Sequence, residues 1–148
     1  MKKIINLIAI AAIFLTAGCL TTTSATGAVV EESGSSIVVA GEIPFGIVRL
    51  HYSRMDQDYT DWGLHIWGEG YLGDAVDWGA AVEPTGITEY GAYWDIEYAG
   101  DSDLNFIIHR GDEKDPDGDR SFFDLDTTNE FWAVSGDSEL YTSEAEAQ

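Results

Sequence analysis

The residues best suited to chemistry are His65 and Trp67. They stand two apart in the run Trp62-Gly-Leu-His-Ile-Trp67. If Leu64 and Ile66 face a core, His65 and Trp67 face the opposite way, side by side and about 6 to 7 Å apart along an extended strand. A tryptophan held on the outside of a strand offers water a large flat apolar surface, as recognition surfaces do. A pyranose ring has an apolar face of axial C–H groups that lies well on an indole, and its equatorial hydroxyls stay free at the ring edge. A two-residue step along a strand is comparable to one sugar step, so His65 and Trp67 suit adjacent sugars. Trp62 is a further candidate, either as a third aromatic or as core support. The competing reading puts Trp67 beneath a loop such as Tyr71-Leu72 and leaves His65 merely solvated.

A second group of polar residues follows an apolar run, in His109-Arg-Gly-Asp-Glu-Lys-Asp-Pro-Asp-Gly-Asp-Arg120. This composition reads as a loop at a sheet end, where binding groups collect on a rigid scaffold. Lys114 can donate to a sugar hydroxyl or ring oxygen, and Asp115 and Asp119 can accept from hydroxyls. Charged partners make such bonds stronger than neutral ones. The carboxylates of Asp115, Asp117 and Asp119 also alternate around Gly118, a spacing that suits the hard oxygen ligands of Ca²⁺. The run is not an EF-hand, because the glycine falls too early and no closing Glu follows. An acidic turn laced by Arg110, Lys114 and Arg120 is the plainer reading, and no metal or other cofactor is expected.

Enzyme chemistry finds little support. No nucleophile elbow, zinc-site spacing or phosphate loop occurs. Carboxylates are plentiful, but an acid–base pair acting on a glycoside needs a cleft that a small sandwich rarely builds. His51 and His65 could meet across strands as metal ligands, yet no third ligand can be placed.

The elements that must hold these residues are strands. Period-two alternation marks Ile47 to Tyr52, Gly63 to Trp67, Tyr93 to Tyr98 and Leu104 to His109, with a shorter apolar run at Phe131 to Val134. Val48, Leu50 and Tyr52 share one face, and Arg49 and His51 the other. Turn-forming residues lie between them, at 56–58, 68–73, 83–86, 100–103 and 115–118. No window of helical length has a 3.6-residue period. An all-β fold is therefore expected, a single immunoglobulin-like β-sandwich of short antiparallel strands over residues 41–143, followed by a polar tail at 144–148.

Charge narrows the partners. The chain has 27 acidic and 7 basic residues, a formal charge of −20. A nucleic-acid binder needs a cationic footprint, and anionic lipid repels this balance. A neutral partner fits, or no partner at all. Cys19 is the one cysteine of the sequence, so no internal disulfide is available and the core must stabilise the fold alone.

The N-terminus reads as an export signal. Lys2 and Lys3 precede the apolar run from Ile4 to Leu15, and Leu15-Thr-Ala-Gly-Cys19 closes it. The run is too short for a membrane span. This segment resembles a bacterial lipobox, with Thr16 where leucine is usual. The resemblance implies a signal peptide at 1–18 and lipidation of Cys19, and the Thr-, Ser-, Ala- and Gly-rich composition that follows reads as a flexible tether through residue 40. The resemblance to Gram-negative lipoproteins further implies, from Leu20 after the cysteine, the outer membrane or cell surface over the inner membrane. The lipid is then the chain's contact with the membrane.

The folded part resembles the bacterial pullulanase-associated domain, carbohydrate-binding module family 41. The resemblance runs through Val48 to Asp56, Tyr59-x-x-Trp62-Gly-Leu-His-Ile-Trp67-Gly68, Tyr90 to Asp95, Leu104 to Asp115 and Glu130 to Asp137, and closes at Glu139-Leu-Tyr141. It implies a monomeric, non-catalytic β-sandwich that binds α-1,4-linked glucans such as amylose, amylopectin, glycogen or pullulan. The stacking positions fall on His65 and Trp67, the hydrogen-bonding ones on Lys114 and Asp119. Many members carry Trp where His65 stands, so the smaller imidazole is a departure. The alternatives are a structural or protein-interaction module of the envelope, and a truncated N-terminal part of a pullulanase-type glycoside hydrolase.

Overall fold

The computed structural model describes residues 37–100 and 102–148. The signal segment, Cys19 and the tether through residue 36 lie outside the described residues. Eight strands follow in chain order: β1 (Ile47–Ser53), β2 (Gly63–Trp67), β3 (Gly86–Ile87), β4 (Ala92–Glu97), β5 (Asn105–Arg110), β6 (Glu113–Lys114), β7 (Arg120–Ser121) and β8 (Glu130–Val134). They form two sheets. One has the order β3-β4-β1-β8, and in the other β5 lies between β2 on one side and β6 and β7 on the other. The fold is all-β and two-layered. Pairing is antiparallel except between β1 and β8, which run parallel.

Alternation decides which side chains meet between the sheets. Val48, Leu50 and Tyr52 of β1 are fully buried, and so are Leu64, Phe106, Phe131 and Ala133. Trp94 and Ile96 join them from β4. Trp94 keeps its polar edge satisfied by donating Nε1–H to the carbonyl of Val82 at 2.9 Å, as a buried indole requires.

Pointing outward is not the same as being exposed. Arg49 and His51 lie on the outer face of their sheet, yet both are buried. Arg49 makes a two-pronged pair with Asp95, at 2.6 and 2.8 Å. It also donates to the carbonyl of Gly41 and lies over the Tyr93 ring. His51 stacks on Trp132 with ring centroids 5.0 Å apart. Its Nε2 is 2.9 Å from Glu130. The polar tail is also folded: residues 143–147 turn back, and Ala147 is buried.

Candidate functional site: an aromatic ladder on the outer face of the second sheet

β2 carries Leu64 and Ile66 into the core and His65 and Trp67 onto the outer face, where both are half-buried. Gly68 ends the strand at φ 132°, and a Cβ there would lie 2.1 Å from the carbonyl oxygen of Asp103. A glycine is therefore required where the chain turns away, and Trp67 is left as the last residue of a fixed strand. Residue pairing places Gly63 opposite His109, His65 opposite Ile107 and Trp67 opposite Asn105.

The segment after β2 then comes back to its free edge. Leu64 and Val82 exchange both backbone hydrogen bonds at 2.9 Å. Gly63 permits the approach, since a Cβ there would meet the Ala81 side chain at 2.6 Å. This return carries Trp78 onto the outer face. Trp78 stacks on His109, with centroids 4.0 Å apart and planes at 13°. Its Nε1–H donates to Asp112 at 3.3 Å. His109 is in turn fixed from below: its Nδ1 lies 2.8 Å from the Gly111 carbonyl, which can only accept, so Nδ1 carries the proton.

The result is a ladder of three rings. Trp67 and His65 are 5.4 Å apart, and His65 and Trp78 are 5.3 Å apart. Lys114 on β6 brings its ammonium to 5.4 Å from the Trp78 ring and makes no ion pair among the described residues. Asp119 is exposed at the loop preceding β7, and its charge acts on His65. Burial holds the His65 imidazole below its ordinary pKa. His109 and Lys114 push the same way, against the opposing pull of Asp119 and Asp77. The ladder thus presents a neutral centre at neutral pH, its rings tilted by 38° and 63° to one another, with the Lys114 cation and the Asp119 and Asp77 carboxylates near it.

Of the residues the sequence singled out, His65, Trp67 and Lys114 come together and Asp119 borders them. Two do not join the surface. Trp62 is 2% exposed, packed against Tyr52 and covered by Arg54 and Arg110 at 4.3 and 4.9 Å. It is core, for the residue before a strand can turn inward without regard to the strand's alternation. Asp115 is buried as well. Its carboxylate accepts from Tyr52 at 2.5 Å, from Arg54 at 3.0 Å, from the Gly136 amide at 2.5 Å and from the Ser135 hydroxyl. Its backbone carbonyl accepts from Arg120. Asp115 therefore anchors the loop that bears Asp119 and is not free to accept from a ligand. It also cannot join Asp117 and Asp119 around a cation. Among the described residues no cluster of three or more His, Cys, Asp or Glu side chains is placed to hold a metal ion.

Trp78 is the residue that sequence reasoning missed. It lies on a connecting segment, where no alternation indicates which way a side chain faces.

Comparison with known proteins places the chain in a family. Residues 46–142 match the family described as bacterial pullanase-associated domain. The chain belongs to that family. Among curated proteins, the α-amylase of Streptomyces lividans is 38% identical over 74 residues, 49% of this chain and 8% of the amylase. The pullulanase of Klebsiella aerogenes is 30% identical over 101 residues, 64% of this chain and 9% of the pullulanase. The chain thus spans less than about a tenth of either relative. Among solved structures, family 41 carbohydrate-binding modules from streptococcal virulence factors, described for α-glucan recognition, share the fold with a TM-score of 0.65 at 18% identity. That match covers 74% of this chain and 52% of theirs. The fold is that of a carbohydrate-binding module, and it carries a cluster of aromatic rings at its surface.

Proposed function

We propose that this chain binds α-1,4-linked glucan non-covalently and without catalysis, with the Trp67–His65–Trp78 ladder as its binding surface. The observation that carries the reading is the near-equal spacing of the three rings, 5.4 and 5.3 Å. Successive pyranose rings along a curved chain can each lie on one of them. Lys114 and Asp119 supply a donor and an acceptor for the hydroxyls at the ring edges. A neutral polysaccharide also suits a chain of formal charge −20, which would repel an anionic ligand. The family relationship and the pullulanase and amylase relatives support the choice of α-glucan among sugars.

Titration with maltotetraose followed by tryptophan fluorescence is the direct test, with native electrophoresis in gels containing amylopectin or glycogen. Saturable quenching or enhancement and retarded migration are expected. No retardation, together with a fluorescence signal indifferent to the sugar, would overturn the reading and favour an envelope protein-interaction module instead.

The leader supports a second part of the proposal: export and attachment through lipid at Cys19. A tethered module would hold large glucans near the cell surface and raise their local concentration for neighbouring enzymes. Metabolic labelling with an alkyne fatty acid should mark the chain, and Cys19→Ser should abolish the label. Equal labelling of that variant would end this part.

A further inference from the structure

The ladder does not end in open solvent at Trp78. A groove of about 700 Å³ begins there, bounded by the 57–63 segment on one side and by residues 79–87 on the other. Trp78, His109 and Gly111 line it, so the groove and the aromatic surface share a border. Its walls mix apolar side chains, such as Tyr59, Pro84 and Ile87, with polar and acidic ones. Gln57 and Asp61 on one wall and Glu83 on the other are exposed, and their side chains make no hydrogen bond among the described residues. Asp58, by contrast, is occupied: it accepts from the Thr60 amide and faces Arg110. Trp62 and His109, both 2% exposed, also border the groove. Trp62 Nε1, a donor, and His109 Nε2, an acceptor, are buried beneath its surface without a partner among the described residues.

Free carboxylates along the groove repel an anion and accept from hydroxyl donors. A groove that opens from the last ring of a stacking ladder receives whatever continues past that ring. We propose that the groove between the 57–63 and 79–87 segments is an extension of the binding site, which takes the continuation of the same glucan chain beyond Trp78. Asp61, Gln57 and Glu83 accept hydrogen bonds from its hydroxyls. This rests on the glucan-binding reading of the ladder. It adds to it that three sugars occupy the three rings and the fourth sugar of a tetrasaccharide only reaches the mouth of the groove, whereas a longer chain gains contacts along it.

The test compares maltotetraose with maltoheptaose by calorimetry, on the full chain and on its double variant Glu83→Ala with Asp61→Gly. Asp61 sits at φ 60°, where glycine is at ease, so the substitution does not strain the backbone. Maltoheptaose should bind the unmodified protein about tenfold more tightly than maltotetraose. The double variant should lose most of that gain and keep its maltotetraose affinity, which also reports that it is folded. A longer sugar has more registers on a short site, so some gain is statistical and would survive in the variant. A gain left wholly intact in the double variant, or equal affinities of the two sugars for the unmodified protein, overturns the extension and leaves the ladder standing. Failure of both sugars to bind overturns the glucan reading itself.

Discussion

Trp78 lies flat on His109, with ring centroids 4.0 Å apart and planes 13° from parallel. The stack turns a residue of a connecting segment into a fixed part of a sheet's surface. His109 belongs to β5 and is pinned through Nδ1 to Gly111, and Asp112 holds the indole edge. One indole face is spent on His109, so a ligand must use what the stack leaves open. Trp78→Ala is expected to lower maltotetraose affinity about thirtyfold, since truncating an aromatic anchor commonly costs about 2 kcal/mol. Trp78→Phe should restore part of the loss. Unchanged affinity of Trp78→Ala by calorimetry would remove Trp78 from the site.

Trp67 should matter at least as much to binding and little to stability. It points away from a core in which Leu64 is fully buried and Ile66 nearly so. Trp67→Ala is predicted to weaken glucan binding by about thirtyfold. Its midpoint of urea unfolding should stay close to the parent's. A large fall in that midpoint would mean that the indole serves the fold and not a ligand.

What could be read in the sequence follows from where period two holds. Leu64, Ile66, His65 and Trp67 sit in an uninterrupted alternation, and their faces follow directly from it. The same is true of Val48, Leu50 and Tyr52. Alternation says which way a residue points but not what covers it. Arg49 and His51 point outward as expected and are nonetheless buried, because Asp95, Tyr93 and Trp132 from neighbouring strands close over them. Where alternation stops, its guidance stops too. Trp62, Trp78 and Asp115 lie just outside or between strands. Their directions are set by partners outside their own segments: Arg54 and Arg110 for Trp62, His109 for Trp78, Tyr52 and Ser135 for Asp115. The parallel pairing of β1 with β8 was equally hidden, since it joins the first strand to the last.

His65 gives the site a pH dependence of definite sign. Burial, with the charges of His109 and Lys114, holds its pKa below the ordinary value of about 6.5. A sugar laid on the ring removes more water from it and disfavours the imidazolium further. Affinity should therefore be level above about pH 6.5 and fall as the pH drops through the depressed pKa of His65. Stability has the same sign. The unfolded chain takes up the proton first, so this residue's contribution is whole above about pH 6.5 and is lost between that pH and the lower folded value. His65→Phe should bind with a flat profile over the same range. An unchanged acid limb in that variant would assign the titration to another group.

Asp115 offers the opposite case, a carboxylate whose value lies in the fold. Burial alone would raise its pKa. The hydrogen bonds from Ser135, Tyr52 and the Gly136 amide, with the Arg54 charge, outweigh that and hold it below the ordinary carboxylate range. The folded pKa is depressed, so the stabilisation is present above about pH 4 and disappears as the pH falls through the folded value. Asp115→Asn keeps the shape but loses the charge opposite Arg54 and cannot accept at both oxygens. A loss of about 2 to 3 kcal/mol at pH 7 is expected, with the difference from the parent shrinking in acid. The loop it anchors carries Asp119 and leads out of the strand that carries Lys114, so sugar affinity should soften in parallel. Urea unfolding at neutral and acid pH measures both limbs. Equal midpoints of parent and variant at pH 7 would show that the buried network does not hold this loop in place.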